Sequence, residues 1–408
     1  MAASPAHAPP EAAAPPRLSL PALFLRFLRF GALAWGGPVA QIGMLRHALV
    51  DTERWISGAE FNRVLALYQV LPGPEAHELC VYFGYRARGR IGGLLAGLGF
   101  MLPGFVLMLL FSWAYVTHGA RMQGMAPVFA AVQAVVAALI VRAVVRIGGH
   151  VVVDRWLWAI ALLAACAQLA GVHFGIVLAV GGAAYVLARM SRASTVILLA
   201  LFACGIAWLV VRNGTLAGFQ ALADPLAATG SALQSVSVPA LFWSGLKAGL
   251  LTFGGAYTAI PFLQRDAVVQ GAWMSNAQFL DGLALGGLLP APLVIFSTFV
   301  GYLGGGPWGA VAMTAGMFLP AFAFTLLGHD AMERVVQQPR VHRLLEGITA
   351  AVVGLIAGTS LALLKATLTG PQAIALFALA LAVLFTTKRT WVIPALILGA
   401  AAWGWIAG

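Results

Sequence analysis

An acidic and imidazole cluster follows a Pro-Gly-Pro triplet inside a long apolar stretch of the chain. The residues are Pro72, Gly73, Pro74, Glu75, His77 and Glu78. Burial favours the neutral form of a carboxyl group, so carboxyls in such a stretch can take up and release protons. The cluster therefore predicts proton coupling through Glu75 or Glu78, with His77 as an alternative relay. The cluster is equally consistent with a helix start, where carboxylates complement the positive end of the helix dipole.

Glycine and proline interrupt the apolar sequence at four places. Glycine within a membrane helix frees backbone groups that only a cavity or protein partner can satisfy, and proline suits the first turn of a helix. The exposed N–H groups of such a turn are suited to an anion. The candidate anion-binding positions are Gly36, Gly37, Pro38, Pro72, Gly73, Pro74, Gly254, Gly255, Pro290 and Pro292. Helix kinking and close packing are the alternative explanation.

Two cations and two hydroxyls extend this candidate site. Arg29 and Lys247 precede the Gly-Gly pairs by one or two helical turns and could attract an anion, or could reach the membrane interface. Ser297 and Thr298 follow the second proline pair and could donate hydrogen bonds to an oxyanion, or could pack helices.

These residues belong to two copies of one pattern. A constant offset of 218 positions places Arg29 on Lys247, Gly37 on Gly255 and Pro72 on Pro290. The 408-residue chain is 61% hydrophobic and only 9% charged, with a net charge of +11. Soluble domains are about 25% charged, so the composition indicates an integral membrane protein. A duplicated, Gly- and Pro-interrupted hydrophobic chain is typical of secondary transporters.

Stretches of about 20 apolar residues predict an all-α protein of about thirteen spans. The predicted segments are 22–45, 61–84, 91–117, 127–147, 156–170, 172–188, 194–211, 240–263, 279–302, 308–328, 345–364, 371–387 and 391–407. For 156–188, one helix with a re-entrant piece is the alternative to two spans. The predicted units are a disordered tail at 1–16, a first repeat at 17–192, a linker with one helix at 193–236, and a second, inverted repeat at 237–408.

The distribution of Arg and Lys predicts the orientation, because cytoplasmic loops are enriched in both. The N-terminus and the Arg86–Arg90 loop should be cytoplasmic, whereas Arg63 should lie on the other side. The extra segment at 194–211 inverts the second repeat, which puts Arg265 in the cytoplasm and the C-terminus in the periplasm.

Several motifs in the two halves together resemble those of the chromate ion transporter family in its long, two-domain form. They are GGP from Gly36, LPGPEAHEL from Leu71, and their partners FGGAYTAIP and LPAPLVIFSTFVGYLGG. The resemblance implies chromate efflux from the bacterial cytoplasm across the inner membrane, driven by the proton motive force, with sulfate as competitor or second substrate. The second copy has Gly-Gly-Ala and Pro-Ala-Pro where the family pattern gives Gly-Gly-Pro and Pro-Gly-Pro, which favours an asymmetric site.

Two other classes of function remain as alternatives. An uncoupled anion channel could use the same breaks to line a pore. A membrane enzyme is disfavoured because the sequence has no HExxH pair and no nucleophile elbow. We expect no cofactor, no metal and no nucleic acid partner, and a homodimer is compatible with the sequence without being required by it.

Overall fold

The computed structural model describes residues 15–35, 37–118, 126–188, 190–213, 236–253, 255–336, 338–387 and 391–407. Every regular element among these residues is a helix. In the first half they are α1 Leu20–Ala32, α2 Pro38–Leu45 with a π turn at Arg46–Thr52, α3 Gly58–Val70, α4 Glu75–His118, α5 Ala126–Val151, α6 Arg155–Leu169, α7 Phe174–Ala188 and α8 Arg192–Asn213.

The second half repeats this order. Its elements are α9 Val238–Leu250, a 3-10 turn Ala256–Ala259, α10 Ile260–Gln264, a π turn Arg265–Gln270, α11 Asn276–Leu288, a 3-10 turn Leu293–Phe296, α12 Ser297–Val336, α13 Pro339–Thr367, α14 Pro371–Thr386 and α15 Val392–Ala407. The predicted tail at 1–16 and the loop part of the 193–236 linker lie mostly outside the described residues.

Helices α4 and α12 each reverse direction at one pair of residues. Arg88 and Gly89 have φ/ψ of −145°/30° and 62°/−155°, and Gly305 and Gly306 have nearly the same angles, −158°/27° and 62°/−154°. At α4 the turn brings the backbones of Gly84 and Gly92 into contact, so its two arms run antiparallel. The duplicated sequence therefore produces the same helical reversal twice.

The segment predicted as a span at 61–84 is instead a hairpin of two short helices. Arg86 forms an ion pair with Glu60 at 3.3 Å, and the rings of Phe61 and Phe83 stack at 6.4 Å between centroids. Residues 60 and 86 would be about 39 Å apart along a straight helix. The chain must therefore fold back at Pro72-Gly73-Pro74, and α3 runs beside the first arm of α4.

The other three Gly- and Pro-containing segments fold back in the same way, so the spans predicted at 22–45, 240–263 and 279–302 are also wrong. Arg26 pairs with Glu53, and Lys247 pairs with Asp266 at 2.6 Å. Trp273 donates from its indole N–H to the carbonyl of Val300 at 3.2 Å. We number these units hairpins 1 to 4 in chain order, and we call the break between the two helices of each hairpin its tip.

The long second arms of α4 and α12 lie antiparallel at the centre. Gly93 packs against Leu326, and Gly97 packs against Phe322. The Arg88–Gly89 turn and Val336 therefore share one end of the bundle, which we call face 1. The Gly305–Gly306 turn lies at the opposite end, face 2. Hairpins 1 and 2 start from face 1, and hairpins 3 and 4 start from face 2.

The two halves exchange their packing partners. Helix α13 packs on α6 and α7, with Gly354 against Ala161 and Gly347 against Gly181. In return α5 packs on α14 and α15, with Gly404 against Pro127. Each half thus completes the packing of the other. Small residues at these crossings let the helix backbones approach closely.

Length and apolar composition qualify five described helical stretches as membrane spans, at 75–118, 126–151, 192–212, 293–328 and 339–367. The molecule is thus an all-α membrane protein, but these helices do not confirm thirteen spans. Helices α6, α7, α14 and α15 have only 15 or 16 residues, fewer than the about 20 that a bilayer requires. The 156–188 region is accordingly a pair of short helices.

The fold also changes the expected side of two arginines. Arg63 is on α3, three residues after Glu60, and therefore lies at face 1 with Arg86 instead of across the membrane from it. Arg265 donates to the carbonyl of Val172, between α6 and α7, at 3.0 Å. The predicted topology placed this connection in the periplasm and Arg265 in the cytoplasm. Both assignments fail because the segments containing them fold back on themselves.

Candidate functional site

The tips of the four hairpins meet inside the protein. The backbone N–H of Gly73 donates to the carbonyl of Thr252 at 2.8 Å, which joins hairpin 2 to hairpin 3. The side-chain amide of Gln41 donates to the carbonyls of Ala34 and Ala291, each at 3.0 Å, which joins hairpin 1 to hairpin 4. The duplicated Gly and Pro motifs, far apart in the sequence, thus form one buried junction.

Two glycines at the tips have backbone angles that favour glycine. Gly37 has φ of 82° directly before α2, whose first residue is Pro38, and Gly255 has φ of 121° directly before the 3-10 turn at Ala256. A side chain added at either position would meet no atom within 4 Å. The open space beside these two helix starts fits a ligand-binding role. The predicted positions Gly36 and Gly254 lie outside the described residues.

The Pro72-Gly73-Pro74 tip is fully enclosed and touches the acidic cluster. Gly73 has φ of 152°, and a Cβ atom built on it would lie 2.7 Å from Oε1 of Glu78. The carboxyl group of Glu78 is therefore held against the tip of hairpin 2. The corresponding prolines of hairpin 4, Pro290 and Pro292, are also buried.

Glu78 is a carboxyl group in an apolar setting. Glu78 is fully buried, and neither of its carboxyl oxygens has a hydrogen-bond partner in the part of the chain that the structure describes. Glu75 is 8% exposed. His77 is fully buried, with its ring edge-on to Phe318 and Phe322 at 4.9 and 4.7 Å between centroids. A buried carboxyl without partners can bind and release a proton as its surroundings change.

The two hydroxyls predicted for the site differ in their surroundings. Ser297 is fully buried, and its Oγ has no hydrogen-bond partner among the described residues. Thr298 is 2.8 Å from the hydroxyl of Thr314, which donates to the carbonyl of Ala310. Ser297 can therefore still donate to a ligand, while the hydroxyl of Thr298 takes part in helix packing.

The two predicted cations are not equivalent. Lys247 is paired with Asp266, which also accepts a 2.7 Å hydrogen bond from Ser244, and the ammonium lies 5.7 Å from the centre of the Phe174 ring. The structure thus gives Lys247 a carboxylate partner. Arg29 is exposed on the surface of α1. The exposed position of Arg29 fits the predicted alternative of an arginine that reaches the membrane interface.

Two residues that the sequence did not mark as candidates contribute to the junction. Gln41 and Thr252 supply the hydrogen bonds between tips. One signal was available for Gln41, since it is a polar residue three positions after Pro38 in an otherwise apolar segment. No local pattern marks Thr252, whose backbone carbonyl accepts the hydrogen bond.

Comparisons with known proteins identify the family of this chain. The family model for the chromate transporter matches residues 21–219 and 239–405. A chromate transport protein of Pseudomonas aeruginosa is 52% identical over 97% of this chain and 94% of its own length. A second, from Cupriavidus metallidurans, is 32% identical over 96% of this chain and 94% of its own length. No solved structure matches the chain. On the strength of a family match across both halves and a relative identical at half of its positions, this chain belongs to the chromate transporter family.

Proposed function

We propose that this protein exports chromate from the bacterial cytoplasm across the inner membrane, driven by the proton motive force. Chromate as the transported ion is supported by the family and by the names of its relatives. The direction and the proton coupling are our inference. Sulfate, a tetrahedral dianion of similar shape, is the expected competitor.

The observation that carries the coupling is the position of Glu78 at the junction of the four tips. A charged carboxylate beside an anion would repel it, whereas a protonated one would not. Binding of chromate and protonation of Glu78 would therefore favour each other, which couples the movement of the two ions. Glu75, one turn away, is the second candidate carrier, and His77 lies between them in the sequence.

Anion binding in this proposal relies on backbone groups. The first turns after Pro38, Pro74 and Pro292 leave N–H groups without helical acceptors, and these turns begin at the junction. Ser297 adds a hydroxyl donor. The proposed binding positions are Gly36, Gly37, Pro38, Pro72, Gly73, Pro74, Gly254, Gly255, Pro290, Pro292 and Ser297. Arg29, Lys247 and Thr298 have surroundings that favour structural roles.

In the membrane we place face 1 in the cytoplasm. This orientation is supported by the concentration of arginines at that face, namely Arg63, Arg86, Arg88, Arg90 and Arg340. The second arm of α4, helix α5, helix α8, the second arm of α12 and α13 would cross the bilayer. The paired short helices would enter and leave by the same face. Five crossings give a cytoplasmic N-terminus, a periplasmic C-terminus and two inverted repeats, about 17–192 and 237–408.

Transport by inverted membrane vesicles tests the proposal, because their outer surface is the cytoplasmic face. We expect chromate uptake when a proton gradient is imposed, loss of accumulation when it is collapsed, and suppression by excess sulfate. Each proton coupled to transport changes the accumulation ratio about tenfold per pH unit of gradient. Uptake that ignores the gradient would instead establish a channel or another coupling ion, and absence of uptake would reject chromate.

A matched pair of carboxyl variants tests the role of Glu78. Glu78→Gln should still bind chromate but should lose accumulation driven by the pH gradient, since the amide cannot release a proton. Asp51→Asn is the control, because Asp51 is half-exposed and 3.8 Å from Arg46. Gradient-driven accumulation equal to wild type in both variants would remove Glu78 from the coupling mechanism.

A further inference from the structure

A cavity of about 470 Å³ opens at face 1 between hairpin 2 and the junction of α12 with α13. One wall is a stripe of α3 that includes Arg63, Ala66 and Val70. The facing wall is formed by Val336, Pro339 and His342. We call this space the vestibule. None of these residues belongs to the site at the tips.

The spacing along α3 shows where the vestibule leads. Positions 63, 66 and 70 follow one another at three- and four-residue intervals, so their side chains share one helix face. Seven residues of helix cover about 10 Å. Val70 is followed by Leu71 and then by Pro72 of the tip. The vestibule therefore runs along α3 from a cation at face 1 as far as Val70, two residues before the tip of hairpin 2.

A second cavity widens the mouth of the vestibule. It measures about 400 Å³ and shares Pro339 and His342, with Arg343 and Glu346 as further lining residues. His342 is 3.5 Å from Glu346. Arg63 and Arg343 thus outnumber the one carboxylate at this opening, which favours the approach of an anion over that of a cation.

The equivalent position in the other half has the opposite charge. The repeat offset aligns Arg63 with Asp281 on α11. Asp281 accepts hydrogen bonds of 2.8 Å from the hydroxyl of Tyr115 and from the amide of Gln133. These contacts tie α11 to α4 and α5, the counterparts of the two helices that border the vestibule. Asp281 is thus buried and held against α4 and α5, and its carboxylate would repel an anion.

We propose that the vestibule is the loading site for the transported oxyanion, with Arg63 as its recognition residue and Asp281 as the reversed charge that disfavours loading from face 2. This inference rests on the proposed function and adds to it a substrate-entry site and a difference in oxyanion affinity between the two faces. The ligand chemistry is a tetrahedral oxyanion, which could be a dissolved ion or the phosphate of a lipid headgroup.

The test compares Arg63→Ala, Arg63→Lys and the control Arg90→Ala, which removes the same charge from face 1 outside the vestibule. In inverted vesicles, Arg63→Ala should raise the half-saturating chromate concentration about fivefold to tenfold, with a maximal rate within about twofold of wild type. Arg63→Lys should retain most of the affinity, and Arg90→Ala should match wild type. Equal half-saturation in Arg63→Ala and wild type, or an equal change in Arg90→Ala, would overturn the proposal.

Two further experiments distinguish a dissolved oxyanion from a lipid phosphate and test the vestibule independently of transport. Vesicles of phosphatidylcholine alone should show the same Arg63 effect as vesicles containing phosphatidylglycerol, and an effect confined to the anionic lipid would assign the vestibule to a lipid phosphate. Calorimetric titration of sulfate into the protein in detergent does not depend on transport. If wild type transports no chromate, weaker sulfate binding by Arg63→Ala still supports an oxyanion site, and unchanged binding overturns it.

Discussion

Replacing Gly73 with alanine should destabilise the protein by about 2–4 kcal/mol. Two contributions make up this value. The φ of 152° lies in a region that side chains rarely adopt, which costs about 1–3 kcal/mol. The new Cβ would lie 2.7 Å from Oε1 of Glu78 and 3.4 Å from Cβ of Ala321, and overpacking of this kind costs about 1–3 kcal/mol. Part of the second contribution can be relieved by movement of the Glu78 side chain.

The assay is equilibrium unfolding of the purified protein in mixed micelles, performed as a double-mutant cycle with Glu78→Ala. Shortening Glu78 removes the crowding but not the backbone strain. The double variant should therefore be about 1–2 kcal/mol more stable than the sum of the two single effects predicts. Gly43→Ala is the control, because a Cβ there meets no atom within 4 Å and the residue lies in a regular helix.

Strict additivity in this cycle would refute the packing of Glu78 against the tip. A cost below about 1 kcal/mol for Gly73→Ala, similar to that of Gly43→Ala, would refute both the tip conformation and its enclosure. Either result would also weaken the coupling argument, because that argument places the Glu78 carboxyl at the junction.

Three other predictions use the same unfolding assay together with transport. Gly84→Ala and Gly301→Ala should each lower the free energy of unfolding by about 1–3 kcal/mol, because both new Cβ atoms would meet backbone atoms across a helical reversal. A large difference between the two variants would argue against equivalent turns. Lys247→Ala should lower the free energy of unfolding by about 3 kcal/mol, because the buried Asp266 loses its cation. The double variant with Asp266→Ala should recover much of this stability. If it recovers none, the broken pair is not the cause of the loss. Ser297→Ala should leave stability within about 1 kcal/mol of wild type and raise the half-saturating chromate concentration several-fold, whereas wild-type transport would exclude the hydroxyl from the binding site.

The candidate site was predictable where composition and local pattern suffice. The membrane class followed from the apolar fraction, and the duplicated breaks followed from the offset that aligns Gly37 with Gly255 and Pro72 with Pro290. The family followed from the motifs, and its assignment is confirmed by the comparisons. The proton-coupling role of Glu75, His77 and Glu78 stays a prediction.

What the sequence could not provide is the direction of the chain after each break. A Gly-Gly-Pro or Pro-Gly-Pro break ends a helix, but the following helix can continue onward or turn back, and hydropathy is the same in both cases. Contacts between distant residues, such as Arg86 with Glu60, decide for the hairpin. For the same reason the thirteen predicted spans are not confirmed, and Arg63 lies beside Arg86 instead of across the membrane from it.

Side-chain types and local backbone preferences were enough to predict an all-α membrane protein, a duplicated plan and the residues at which its helices break. Long-range contacts in the folded protein are needed to see that the four breaks meet, that Lys247 is neutralised by Asp266, and that Arg63 lines a cavity at face 1. These features depend on contacts between the two halves, which arise when small residues let the helices pack closely and each half completes the packing of the other.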